Sequence, residues 1–154
     1  MNHIIHPLTA YPWKTQHDLR FGDIDANGHI NNGAFNALVE SSRSLLLESD
    51  KVKQWGPYRF VLARFEIDYL SELTWPHPVR AGLAIVRIGK SSITMRQSLF
   101  SEAGCAAIAL STIVATDPMT GKPSGMVDGL RDVLCQWSRS DGDTAAEQSA
   151  GDRL

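Results

Sequence analysis

Within ten residues, Asp23-Ile24-Asp25-Ala26-Asn27-Gly28-His29-Ile30-Asn31-Asn32, the chain gathers two carboxylates, three carboxamides and an imidazole, directly ahead of its best helical pattern. The first amides of an α-helix have no intrahelical acceptor and carry partial positive charge. They therefore suit a carbonyl oxygen that becomes negative as its carbon turns tetrahedral. A carboxylate beside them can attack that carbon or draw a proton from water. Asp25 lies seven residues before Asn32, enough loop to fold back beside the helix start and make a minimal acyl-transfer site. The same residues also serve as ordinary loop and cap groups, and residue types alone leave both readings open. Metal binding has less support. One histidine among scattered Asp and Asn lacks the His or Cys pairs of a zinc site, and the loop lacks the oxygen ligands and closing Glu of a calcium loop. Neither a glycine-rich phosphate loop nor a Cys and His nucleophile pair is found.

The elements that must position this stretch are legible on both sides of it. Lys14 to Phe21 reads as a short strand, with Leu19 and Phe21 apolar and Gly22 ending it. From Gly33 the period changes: Ala34, Phe35, Leu38, Val39, Leu45 and Leu46 stack on one helical face, while Glu40, Arg43 and Glu48 fall elsewhere. Asn31 or Asn32 supplies the N-cap, and Glu40 and Arg43 are spaced to pair on the helix surface. A connector, Asp50 to Pro57, follows. Val61, Ala63, Phe65, Ile67 and Tyr69 then alternate with Arg64, Glu66 and Asp68 as a half-buried antiparallel strand. Val79 to Ile88 and Ser91 to Ser101 form strands joined at Gly89-Lys90. Cys105 to Ala115, apolar almost throughout, reads as a central strand, and Val127 to Trp137 as a short closing helix. One early helix must thus lie across a curled five-stranded sheet, an α+β arrangement whose other face and edges need a partner or solvent-tolerant residues.

The composition bounds the function. A chain of 154 residues, 43% hydrophobic and 21% charged, suffices for a single domain with its own core. A formal net charge of -2 without Lys or Arg runs argues against a nucleic-acid or membrane-binding surface. Cys105 and Cys135 read as buried reduced thiols. No stretch reaches the ~20 apolar residues of a membrane span, and the N-terminus lacks the apolar core of a secretory signal, so a cytoplasmic location is expected. Residues 1–13 read as an irregular lead-in in which His3 and His6 are solvated, residues 14–137 as the domain, and residues 138–154 as a disordered tail.

The run Arg20-Phe21-Gly22-Asp23-Ile24-Asp25-Ala26-Asn27-Gly28-His29-Ile30-Asn31-Asn32-Gly33-Ala34-Phe35, continuing to Glu40-Ser41-Ser42-Arg43, resembles the signature of hotdog-fold thioesterases of the 4-hydroxybenzoyl-CoA thioesterase type. Phe65-Glu66-Ile67-Asp68-Tyr69-Leu70, Val79-Arg80-Ala81-Gly82, Ile88-Gly89-Lys90-Ser91-Ser92-Ile93, and Thr116-Asp117 to Lys122-Pro123 agree with its later strands, so the resemblance spans residues 14 to 135. It implies a five-stranded antiparallel sheet wrapped around one long helix. Two subunits would join their sheets, as a homodimer or homotetramer with active sites at the interface. It also implies an acyl-CoA thioesterase acting on a fatty or aromatic acyl-CoA, with no cofactor beyond the CoA thioester substrate. By position, Asp25 corresponds to the catalytic carboxylate, nucleophile or general base, and the backbone amide at Asn32 to the donor that polarises the thioester carbonyl. Asp25-Ala26-Asn27-Gly28-His29 reproduces the Asp-x-Asn-x-His spacing that is catalytic in plant acyl-ACP thioesterases, which makes Asn27 and His29 candidates. Asp23 is expected to be a loop carboxylate.

Two other readings accompany this one. A non-catalytic acyl-CoA or acyl-carrier-binding hotdog protein would keep the fold without turnover. A hotdog enoyl-CoA hydratase fits less well: Gly28 stands where its proline would be, and His29 follows Asp25 by four rather than five residues. Candidate acyl-pocket residues are Phe35, Trp55, Tyr58, Phe60 and Phe65.

Overall fold

A sixteen-residue helix, α1 (Asn32–Leu47), is the centre of the molecule. The computed structural model describes residues 4–139. The strands are β1 (Trp13–His17), β2 (Arg59–Tyr69), β3 (Val79–Ile88), β4 (Ser92–Ser101) and β5 (Gly104–Thr116), with two short helices, α2 (Asp50–Lys53) and α3 (Asp128–Cys135). The strands form one sheet in the order β1-β3-β4-β5-β2, and every neighbouring pair is antiparallel. Helix α1 packs against β1, β3 and β4. This is the α+β hotdog arrangement that the resemblance implies.

The buried residues of α1 are Ala34, Phe35, Leu38, Val39, Ser42, Arg43, Leu46 and Leu47. Pairs four apart follow from about 3.6 residues per turn, and this stripe corrects the expected face in two places. Leu45 falls off it and is 53% exposed. Arg43, expected on the polar surface, is on it, with its guanidinium 3.8 Å from Glu40. Burial pushes the Arg43 guanidinium down from its ordinary value, against the opposing pull of Glu40. The first half of α1 packs on Leu19, Ile30, Leu73, Val79 and Leu99. Its second half packs on Leu83, Ile85, Ile93, Met95 and Ile113, together with Leu130, Leu134 and Trp137 around α3. Gln97, fully buried on β4, links helix to sheet: its Nε2 donates to the Val39 carbonyl at 2.7 Å and its Oε1 accepts from Ser111 Oγ at 3.1 Å. A buried carboxamide without such partners would be strongly destabilising.

Several boundaries differ from expectation. The first strand begins at Trp13 and ends at His17. Beyond it the Arg20 amide donates to the Asp23 carboxylate at 2.9 Å, closing a short 3-10 turn, Phe21–Asp23, that takes Phe21 out of strand geometry. Phe21 is consequently exposed and meets the Trp75 ring edge to face. β5, expected as a central strand, is flanked on both sides, by β4 and β2. Cys105 is half-buried and Cys135 exposed on α3, so neither is the fully buried thiol expected. The lead-in packs on the outer sheet face: His6 and Tyr11 are buried, and Tyr11 hydroxyl lies 2.5 Å from Ser98 Oγ. Its ring occupies the space a Cβ on Gly82 would need, 2.5 Å away, so a glycine is required there. Part of the face left over by α1 is thus covered by this chain's own N-terminal segment. At the other end, Ser138 pairs with Ile85 and the Arg139 amide donates to the Ile85 carbonyl at 2.9 Å; residues 140–154 of the expected tail, and His3, lie outside the described residues.

Candidate active site

The polar stretch folds into a small hairpin closed on itself. Ile24 and Ile30 bridge antiparallel, the Asp25 amide donates to the His29 carbonyl at 2.8 Å, and the Gly28 amide donates to the Asp25 carbonyl at 3.0 Å. Gly28 has φ 83°, a left-handed conformation that glycine adopts without steric penalty. One oxygen of Asp25, Oδ1, accepts from the Asn27 and His29 amides at 2.8 and 3.3 Å. Among the described residues no donor reaches Oδ2, so the carboxylate is fixed by one oxygen and open at the other.

Asn31 joins this hairpin to α1. Its Oδ1 accepts from the Ala34 amide at 2.8 Å as the N-cap, while its Nδ2 and backbone amide both donate to the Asp23 carbonyl, at 2.7 and 2.8 Å. Of the first-turn amides, those of Ala34 and Phe35 return to Asn31; those of Asn32 and Gly33 have no acceptor among the described residues. Two partially positive N–H groups are therefore available at the helix start.

Asp25, His29 and Asn32 line one cleft of about 300 Å³, with Ile30, Phe35, Tyr69, Leu70, Ser71 and Glu72. The fourth candidate, Asn27, is not part of that lining; it is exposed and contributes its backbone amide to Asp25. Asp23 is buried instead, with Oδ1 2.8 Å from the Arg20 guanidinium. Hydrogen bonds from the Arg20 side chain, then from its amide, hold the Asp23 carboxyl below the usual carboxylate range. It is a structural carboxylate.

The far wall of the cleft comes from the end of β2 and the loop after it. Leu73 carbonyl accepts from the Ile30 amide at 3.1 Å, and His29 Nε2 is 3.0 Å from Glu72 Oε2. Tyr69 packs edge to face on Phe35 with centroids 5.2 Å apart, its hydroxyl donating to Asn36 Oδ1 at 3.4 Å. Of the aromatics considered for an acyl pocket, Phe35 alone lines this cleft among the described residues; Tyr58 and Phe60 pack on the opposite core cluster. Glu72, Ser71 and Leu70 were missed, because the turn after β2 shows no periodicity that would aim them at a loop some forty residues earlier. Among the described residues, no group of three or more His, Cys, Asp or Glu could hold a metal ion. No helix of the described residues is long and apolar enough to cross a membrane.

Comparison with solved structures gives the same fold. A thioesterase from Thermus thermophilus, complexed with coenzyme A and Zn, is 29% identical, with a TM-score of 0.72 over 81% of this chain and 92% of that one. A protein described as a predicted thioesterase from Bacillus stearothermophilus is 27% identical, with a TM-score of 0.74 over 84% and 98%. YbaW of Escherichia coli, described as a probable thioesterase, is 25% identical, with a TM-score of 0.72 over 82% and 99%. A comparison with the curated proteins finds none that matches. Residues 19–134 match the model of the thioesterase-like superfamily, a span that takes in the Asp25 hairpin, α1 and all of β2 to β5; the chain belongs to that superfamily.

Proposed function

We propose that this protein is an acyl-CoA thioesterase, hydrolysing a fatty or aromatic acyl-CoA to the free acid and CoA. The observation that carries the reading is that Asp25, with Oδ2 open to solvent, and Asn32, the first residue of a helix whose first two amides are unsatisfied, line one cleft. A thioester carbonyl oxygen placed at those amides becomes an oxyanion they can stabilise, while Asp25 acts on the acyl carbon directly or through a water. Water supplies the oxygen that bonds to the acyl carbon and Asp25 takes its proton, the carbon–sulfur bond breaks with its electron pair on sulfur, and that proton passes to sulfur to give the thiol; where Asp25 attacks directly, water then opens the acyl–Asp25 anhydride to the acid. Carboxylate and amides together supply activation and polarisation, so the reaction needs no cofactor.

In the single chain Asp25 and Asn32 are exposed, whereas such electrostatics act most strongly where water is excluded. Edge strand β2 carries exposed Val61, Leu62 and Tyr69, followed by exposed Leu70. A second copy pairing along this edge, as a homodimer or the unit of a homotetramer, would cover both the strand and the cleft beside Tyr69. Nothing in the charge or composition calls for a nucleic acid or membrane partner, and a cytoplasmic location accords with that.

The test is release of free thiol from a panel of short, long, branched and aromatic acyl-CoAs. Asp25→Asn is expected to lower kcat at least ~100-fold with the melting temperature retained. Undiminished turnover in that variant would remove Asp25 from the mechanism. Saturable acyl-CoA binding without thiol release would indicate a binding protein, and water addition to an enoyl-CoA a hydratase.

A further inference from the structure

Glu72 is on none of the motifs read from the sequence, yet it shares the cleft with Asp25 and its carboxylate is 3.0 Å from His29 Nε2. The pair is only partly buried, with side-chain exposures of 40% for His29 and 66% for Glu72, and an isolated pair of that kind is weak. This pair is not isolated. The next residues along, Ile30 and Leu73, are joined by a backbone hydrogen bond of 3.1 Å and are 4% and 1% exposed. On the other strand of the hairpin, Asp25 is bonded to His29 through its backbone amide and through Oδ1. The backbones of both partners are thus fixed by their neighbours, and only side-chain rotamer entropy remains to be lost when the two meet.

A carboxylate only accepts hydrogen bonds, so a proton shared across this 3.0 Å contact is carried by His29 Nε2; in the neutral ring the other nitrogen, Nδ1, is then an acceptor. We propose that Glu72 is a positioning residue of the hydrolytic site, holding His29 as the Nε2–H tautomer so that Nδ1 accepts a hydrogen bond from the water that adds to the acyl carbon. The inference rests on the thioesterase reading above. A carboxylate that fixes the tautomer of a reacting histidine is a known way to raise turnover without touching substrate.

The test is a double-mutant cycle on thiol release, with Glu72→Ala, His29→Ala and the double variant. Glu72→Ala is expected to lower kcat about tenfold with KM changed less than about twofold, and to change kcat less than about twofold once His29 is already alanine. Glu72→Gln, whose carboxamide oxygen can accept the same N–H, recovers part of the loss. An equal effect of Glu72→Ala in both backgrounds, or no effect of either single change, overturns the proposal. Long-range proton–nitrogen correlation spectra give a readout independent of turnover: His29 is expected as the Nε2–H tautomer in the wild type and as a mixture in Glu72→Ala, and an Nδ1–H tautomer in the wild type overturns it. Failure of the thioesterase reading looks different. If the wild type releases no thiol, hydrolysis and the catalytic part of this proposal both fall, while the spectra still decide the tautomer.

Discussion

Asp23 and Asp25, two residues apart and of the same chemistry, do different work because their partners differ. Asp23 is saturated by the Arg20 side chain and amide, and its carboxyl is held below the ordinary value near 3.8. As pH falls, the unfolded chain takes up this proton before the folded one does. The stabilisation is therefore full above the ordinary carboxylate value and is lost as pH falls through the lower folded value. Asp23→Asn is expected to be less stable than the wild type at pH 7 and to lose less between about pH 5 and pH 2; urea midpoints across that range measure it. A parallel acid limb in both proteins would show that the Arg20 contact contributes nothing. Asp25 has the opposite arrangement: Oδ1 is held by two amides and Oδ2 is left open, suited to chemistry rather than to stability.

At the scale of the element, α1 and the hairpin before it are joined through one side chain. Asn31 uses its acceptor on the helix and its donor on the Asp23 carbonyl, so the cap also fixes where the Asn32 and Gly33 amides point. Asn31→Ala should cost about 1 kcal/mol for the cap, a fall of ~2–4 °C in melting temperature, and about tenfold in thiol release as the amides lose their aim. Asn31→Asp retains the cap acceptor but not the donor, and is expected to recover most of the melting temperature and only part of the rate. If both variants turn over like the wild type while melting lower, the helix start does not polarise the thioester. The sequence places the cap at Asn31 or Asn32, since either carboxamide suits the position. Only the fold, by bringing the Asp23 carbonyl beside Nδ2, decides for Asn31.

At the scale of the molecule, β2 is the longer of the two edge strands. Its alternation predicts a half-buried strand, yet only Phe60, Phe65, Glu66 and Ile67 are partly covered, and Val61, Leu62 and Tyr69 are exposed. An edge strand with apolar side chains and one unpaired row of backbone groups is a template for pairing with another chain. Under the proposed assembly, Val61→Asp with Leu62→Asp should shift the mass by light scattering to that of a single chain and reduce thiol release at least about tenfold, because the cleft loses its cover. A wild type that is monomeric and fully active at assay concentration would defeat the shared-site reading.

By itself the sequence determined the α+β architecture, the order of its elements and the stretch on which the chemistry is proposed. Those depend on short-range rules: period two in the strands, about 3.6 in the helix, and carboxamides before a helix start. It singled out Asp25, Asn27, His29 and Asn32, of which the fold brings all but Asn27 to one cleft, and it set Asp23 apart as a loop carboxylate. Tertiary structure decided what depends on distant neighbours. Glu72 reaches the site through the pairing of Ile30 with Leu73, Arg43 and Leu45 exchange faces where α1 meets the sheet, and His6 is buried where Tyr11 docks over Gly82. None of these can be read from local pattern, because each is fixed by a contact between segments far apart in the chain.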